Sequence, residues 1–268
     1  MHKYWLIAVL LVACAAAGWF LWWQNNHLVS TRYQLRIGLG RQLRIVHLSD
    51  LHGKQFGTEN VALIARVEAC KPDLIVFTGD LIDDARSDRA ACVAFLGELT
   101  RLAPVLYVPG NHEYNAGLVE ELRTQLLAAG VRALSNEIVT LELGGRKLHA
   151  LGMEETAAGS APQLLTELQA RQGIKLVLSH YPETFALGGA ASYQNYAFDV
   201  QFSGHAHGGQ FILPGVGPVF APGQGLRPRY ARGVHGNRPY LVVSRGLGNS
   251  AFPFRLFNPP EVVLAVLE

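Results

Sequence analysis

The chain has 268 residues, a formal net charge of +2, and 23 basic against 21 acidic side chains with no basic run. That balance leaves no electrostatic footprint for nucleic-acid binding. Its three cysteines lack CxxC spacing, so any metal chemistry must use nitrogen and oxygen donors; they neither require nor exclude an oxidising compartment.

The first element is apolar. Tyr4 to Trp23 is twenty residues without a charge, matching the ~20 needed to cross a bilayer as a helix. It ends in Trp19, Trp22 and Trp23, residues that favour the membrane interface. A cleaved signal should have a shorter apolar core followed by small residues at a cut site. Here Ala15-Ala16-Ala17 is followed by further apolar bulk, so residues 1–27 read as a retained anchor. Leu11-Val12-Ala13-Cys14 resembles a lipobox, in which Cys14 would be acylated, but the apolar run continues past it. The expected location is a bacterial inner membrane, spanned once. Lys3 precedes the segment and Arg32, Arg36, Arg41 and Arg44 follow it, which favours a cytoplasmic main body. A short amino terminus before a signal-like segment favours export instead, and the side stays open. Residues 28–43 read as a juxtamembrane stalk. Residues 44–268 fall within the size of one α/β domain.

Within that domain, apolar runs repeatedly end in a metal-ligand type of residue. Arg44 to Ser49 runs into Asp50-Leu51-His52, and Leu74 to Gly79 into Asp80. Val105 to Gly110 leads to Asn111-His112-Glu113, and Ile174 to Ser179 to His180. Phe198 to Phe202 leads to Gly204-His205-Ala206-His207-Gly208. Each run is short and rich in Val, Ile and Leu, as a strand covered on both faces should be. Segments of helical spacing, 59–70, 88–102 and 118–129, lie between them. Strand alternating with helix predicts an α/β sheet with crossover helices, whose ligand site forms beyond the carboxyl ends of the strands. Asp50, His52, Asp80, Asn111, His180, His205 and His207 should therefore meet in one place. Seven ligands exceed the four to six of a single divalent ion. One carboxylate can bridge, which suggests two ions about 3.5–4 Å apart, an arrangement suited to in-line displacement at phosphorus.

Asp-x-His, Gly-Asp, Gly-Asn-His-Glu, a lone histidine and Gly-His-x-His, in this order, resemble the calcineurin-like metallophosphoesterase superfamily. The resemblance implies a four-layer α/β/β/α sandwich of two mixed β-sheets. It also implies roles: Asp50, His52 and His207 on one metal, Asp80 bridging, and Asn111, His180 and His205 on the second. His112 would lie outside the metal shell and protonate or stabilise the leaving oxygen. The attacking group would be a hydroxide bridging the two ions. Mixed His, Asp and Asn ligation suits manganese and allows iron, zinc or cobalt.

Ser244-Arg245-Gly246-Leu247-Gly248, Phe252-Pro253-Phe254-Arg255 and Asn258-Pro259-Pro260-Glu261 resemble a narrower branch, the YkuE/YaeI-like bacterial phosphoesterases. Arg245, placed between a strand-like run and glycines, is expected to contact substrate, since a guanidinium fork suits phosphate oxygens. Arg255 is the weaker candidate. His149, His235, His2 and His27 are expected to be packed or surface residues, and His47 a packed residue or a support to the ligands. Asp73 and Asp83 read as strand-start and loop carboxylates, with a supporting role beside the ligands left open by the family resemblance. Together with the anchor, the ligand set predicts a phosphodiesterase or pyrophosphatase acting on a lipid- or envelope-linked phosphoester. Cleavage of a UDP-2,3-diacylglucosamine type of pyrophosphate is one form of that expectation. A non-catalytic metal-binding scaffold is the alternative from another class, although such relatives typically lose ligands or the catalytic histidine.

Overall fold

The computed structural model describes residues 2–84, 87–155, 159–249 and 252–268. Helix α1 (His2–Asn26) leads into strands β1 (Val29–Leu35) and β2 (Leu43–Leu48). Helices α2 (Val61–Ala69), α3 (Arg89–Leu99), α4 (Asn111–Asn115) and α5 (Val119–Ala128) are interleaved with β3 (Leu74–Thr78), β4 (Val105–Val108) and the short β5 (Arg132–Ala133). A hairpin of β6 (Glu137–Leu143) and β7 (Arg146–Met153) opens the second half. Helix α6 (Ala161–Ala170), β8 (Ile174–Ser179) and β9 (Val200–Ser203) follow. Two small hairpins come next, β10 (Ile212–Leu213) with β11 (Gly217–Pro218), and β12 (Phe220–Ala221) with β13 (Gly225–Leu226). Strands β14 (Gly233–Gly236), β15 (Tyr240–Val243) and β16 (Glu261–Leu267) complete the fold.

The strands form two six-stranded mixed sheets, ordered β1-β16-β2-β3-β4-β5 and β14-β15-β9-β8-β7-β6. Alternation along each strand divides its side chains between two cores. Ile45, Leu74, Val76, Leu106 and Val108 face the other sheet and pack with Leu148, Leu176, Leu178, Val200 and Phe202. Their neighbours Val46, Ile75, Phe77, Val105 and Tyr107 face outward against Leu63 and Val67 of α2, Phe95 and Leu96 of α3, and Leu122 of α5. Beyond the second sheet, Val177 and Leu241 pack with Leu165 and Leu168 of α6. The result is the expected four-layer sandwich, and its uninterrupted Val/Ile/Leu strands follow from having both faces covered.

The segment expected as a stalk, residues 28–43, is not one. Val29–Leu35 is a strand of the first sheet, paired in parallel with β16 from Val29↔Glu261 to Leu35↔Leu267. Its sequence hid this because an edge strand buries one face only, and its residues alternate between half-buried and exposed. The sheet therefore begins within three residues of α1's end. Helix α1 itself has one stretch, Tyr4–Asn26, long and apolar enough to cross a membrane, and the apolar window within it is wholly exposed.

Candidate metal centre

Strands β2, β3 and β4 run parallel in one sheet, and β8 and β9 run parallel in the other. Their carboxyl ends thus lie together along one edge of the sandwich. The loop after β2 runs beside the loop after β3, with Asp50 N–H donating to Gly79 O (2.9 Å) and His52 N–H to Asp80 O (3.0 Å). The two sheets are joined where His205 N–H donates to Asp50 Oδ1 (2.9 Å). Only glycine permits that approach: a Cβ on Gly204 would collide with Ser49 Oγ and Asp50 Oδ2, and one on Gly110 with Asp80. Asp50, His52, Asp80, His205 and His207 all lie at positive φ, between 48° and 64°. Non-glycine residues held there cost roughly 1–3 kcal/mol each, and such outliers cluster where a site constrains the chain.

All seven expected ligands come together. Asp50, His52, Asp80 and His207 offer one group of ligand atoms within 4.8 Å of one another, and Asp80, His180 and His205 offer a second. In the first group His52 Nε2 and His207 Nε2 lie 3.3 Å apart, and His207 Nε2 is 3.6 Å from Asp50 Oδ1. In the second, His180 Nε2 is 3.2 Å from His205 Nδ1 and 3.1 Å from the Asn111 amide oxygen. Asp80 Oδ2 belongs to both, 3.7 Å from His52 Nε2 and 3.3 Å from His180 Nε2. His180 Nδ1 donates to Thr78 O (2.7 Å), which turns Nε2 inward as the ligating atom.

The electrostatics describe a pocket built for positive charge. Burial opposes the imidazolium of His180, yet Asp80 and then Asp50 beside it raise its pKa to about 10. Burial alone would raise the Asp80 carboxyl, but the His180, His52 and His112 imidazoles hold it well below the carboxylate range. Burial and the neighbouring His180 push His205 down to about 3. Burial, with His52 and Arg255 nearby, likewise depresses His207. Burial thus favours neutral His205 and His207, whose lone pairs are available to a cation, while the carboxylates favour the charged form of His180. The Asp50 Oδ2 atom is buried without a hydrogen-bond partner. A buried unpaired carboxylate oxygen beside converging imidazole lone pairs fits divalent cations with nitrogen and oxygen preferences.

His112 contributes no atom to the two groups that share Asp80; its ring lies with His52 and Asp83 in a third group of ligand-type atoms. Its main-chain N–H donates to Asp80 Oδ1 (3.0 Å), while its ring Nδ1 donates to Asp83 O (2.6 Å) and lies 3.3 Å from Asp83 Oδ1. Among the described residues no hydrogen bond engages Nε2, on a side chain 25% exposed where the His52 and His180 side chains are 2% exposed. Its ring meets His52 edge-on at 4.6 Å.

Arg245 lies beside the turn that carries His207, close to Gly208, and is paired across the first sheet. Its Nη2 donates to Glu261 Oε1 (2.8 Å) and to Thr31 Oγ1 (3.4 Å), so the guanidinium is engaged by the last and first strands. Arg255 is fully buried and donates to the carbonyls of Gly248, Arg245 and Asn258, which shapes a loop. His47 is a packed residue bonded to Thr78 Oγ1 (2.8 Å), and His149 bonds Thr140 and the Gln172 carbonyl.

Three further residues hold the site. Asp83, read as a loop carboxylate, lies 3.2 Å from His52 Nδ1 and also anchors His112. Asn258 donates from its amide to His207 O (2.7 Å) and Gln210 O (3.1 Å), fixing the turn that presents His207. Glu113 is fully buried and accepts the N–H groups of Asp80, Ile82 and Gly110. The Gly-Asn-His-Glu spacing was the available signal for Glu113, but its role is structural. Glu113→Gln turns one acceptor oxygen into a donor facing main-chain N–H groups, and is expected to destabilise the fold by ~2–4 kcal/mol. Chemical denaturation of the chelator-treated protein checks this, and an unchanged midpoint would show that the brace is dispensable.

The profile of the calcineurin-like phosphoesterase family matches residues 43–209. The uncharacterized metallophosphoesterase YkuE of Bacillus subtilis is 30% identical, over 84% of this chain and 79% of its own. The phosphodiesterase YaeI of Escherichia coli is 29% identical, over 84% and 82% respectively. An uncharacterized metallophosphoesterase of Aquifex aeolicus is 28% identical over 98% of both chains.

Proposed function

The chain belongs to the calcineurin-like phosphoesterase family, and from that premise we propose that it is a membrane-anchored, dinuclear-metal phosphodiesterase acting on a lipid-linked phosphoester. Metal-dependent phosphoester hydrolysis is the family's chemistry. The observation that carries the dinuclear reading is Asp80, one carboxylate shared by two separate groups of ligand atoms. Asp50, His52 and His207 would hold one ion, and Asn111, His180 and His205 the other. Manganese is the proposed metal. Bound there, divalent ions supply an activated water and offset charge on phosphoryl oxygens.

The remaining steps fall to this chain's own side chains. His112 presents Nε2 to the leaving oxygen and delivers its proton, because Asp83 occupies Nδ1 and fixes the ring. The left-handed loops and the Glu113 brace hold the ligands in place before substrate arrives, so little reorganisation accompanies the reaction. The diester preference is supported by the likeness to YaeI, whose name is phosphodiesterase. Anchoring in a bacterial inner membrane is supported by the apolar helix Tyr4–Asn26. An enzyme held at a bilayer meets lipid-linked phosphoesters at high local concentration. The full ligand set with His112 argues against a non-catalytic scaffold.

The test is hydrolysis of bis-p-nitrophenyl phosphate by full-length protein stripped of metal and titrated with Mn²⁺. Turnover should rise with manganese and level off near two ions per chain. No turnover with Mn, Fe, Zn or Co, each shown to be bound, overturns the reading.

A further inference from the structure

Helix α1 is not a free tether. Over its last two turns Phe20, Leu21 and Gln24 turn partly or fully inward, while the preceding turns stay exposed. Phe20 packs on Phe257 with ring centroids 5.7 Å apart. Asn25 donates to Pro253 O (3.0 Å) and accepts from Arg255 N–H (2.8 Å). Lys54 donates to the Asn25 carbonyl. The end of α1 is thus clamped to the loop 252–257. Phe20 lies six residues before the helix end, which at 1.5 Å per residue places Phe257 about 9 Å up the helix. If α1 spans a bilayer, this loop is held at the depth of its interface.

The same loop carries the two small hairpins with it. Ile212 N–H donates to Leu256 O (3.0 Å), and Phe211 packs on Phe252 and Phe254 at 5.2 and 5.6 Å. Val219 N–H donates to Phe211 O (3.0 Å) and Arg227 N–H to Val219 O (3.0 Å), which extends the chain of contacts to the second hairpin. These elements expose Leu213, Val216, Phe220, Leu226, Phe252 and Phe257, with Leu226 76% exposed. Their charge is one-sided. Between Asp199 and Glu261 there is no acidic residue, while Arg227, Arg229 and Arg232 stand exposed beside the apolar tips. Apolar side chains rimmed by arginine fit the headgroup region of an anionic bilayer. The metal centre adjoins this surface, because Asn258 bonds His207 O and Gln210 bonds Phe254 O (2.9 Å).

We propose that the hairpins 212–226 and the loop 252–257 form a second membrane-contacting surface, which seats the metal centre against the bilayer and selects phosphoesters of lipid headgroups. The proposal rests on the reading of α1 as a membrane anchor. It gives the fold a fixed posture: the anchor and the hairpins contact the same leaflet surface, so a headgroup reaches the centre from the side of the bilayer.

The test uses full-length protein in bilayers of phosphatidylcholine and phosphatidylglycerol, with one nitroxide label per chain. Native Cys14, exposed on α1, takes the first label, since Cys70 and Cys92 are buried. Further labels go on Leu226→Cys, Phe257→Cys and Leu127→Cys in a Cys14→Ser background. Leu127 is exposed on α5, the helix leading into β5 at the opposite edge of the first sheet from β1. Collision with oxygen relative to a water-soluble nickel chelate should be severalfold higher at Cys14, Phe257 and Leu226 than at Leu127. A label at position 226 as water-accessible as the one at 127 overturns the proposal, even with Cys14 immersed. Spin–spin broadening between labels at 226 overturns it in favour of a second copy of the chain. Should Cys14 itself be water-accessible, the anchor reading fails first and takes this one with it.

Discussion

Asp80→Asn is expected to abolish occupancy of both metal positions and to lower diester hydrolysis by on the order of 10⁴-fold or more, since activation of water depends on the ions. The cause is the position of one oxygen atom. Asp80 Oδ2 lies within reach of both His52 Nε2 and His180 Nε2, so weakening it removes charge from both groups at once. Asparagine has nearly the same shape, and its amide oxygen can still accept the His112 main-chain N–H that Asp80 Oδ1 accepts. The fold should therefore survive, although the unpaired His180 costs the metal-free protein some stability. Metal content per chain checks the prediction, with His205→Ala and His207→Ala alongside. Those two variants should each retain about one ion, because the structure groups His207 with Asp50 and His205 with His180. In the wild type, manganese at 100 times its dissociation constant should add about 2.7 kcal/mol of stability for each of the two sites. Asp80→Asn should lose that increment. Two ions bound at wild-type affinity in Asp80→Asn would sink the shared-ligand reading.

What the sequence disclosed, and what it hid, follows from how each residue acts. Strands β2, β3, β4, β8 and β9 were legible because both faces are covered, and each announced itself as an unbroken apolar run. Strand β1 was not, because its exposed edge face carries Ser30, Arg32 and Gln34, a pattern easily read as a linker. The seven ligands were legible because their chemistry resides in the side chain and their place at the end of a strand. Glu113 and Asp83 act differently: one satisfies three main-chain donors and the other positions two rings, and neither task leaves a distinctive composition. The ion pair of Arg245 was hidden for a related reason. The residue's position after β15 places it near the site edge, but its nearest carboxylate, Glu261, lies sixteen residues away on another strand. Pairing across a sheet depends on strand order, and strand order is not written locally.

The second large effect isolates proton transfer from metal binding. His112→Ala is expected to lower kcat for diester hydrolysis by ~10²–10⁴-fold, the usual contribution of a positioned general acid. Both ions should stay bound. The bond that ties residue 112 to the centre is main-chain, from its N–H to Asp80 Oδ1, and alanine preserves it. The imidazole contributes no atom to either group that contains Asp80. The loss should also depend on the substrate. A p-nitrophenolate leaving group needs little protonation, so its hydrolysis should fall at the low end of that range. An alkyl diester such as a phospholipid headgroup leaves as a poor alkoxide and should fall at the high end. The measurement is kcat for both substrates at matched manganese, with metal content determined on the same samples. Equal losses on the two substrates would assign His112 to orientation of the phosphoryl group instead of protonation. Loss of an ion would make it a ligand. Asp83→Asn then separates anchor from acid: the Asp83 carbonyl that accepts from His112 Nδ1 survives the change, so its effect should be the smaller of the two.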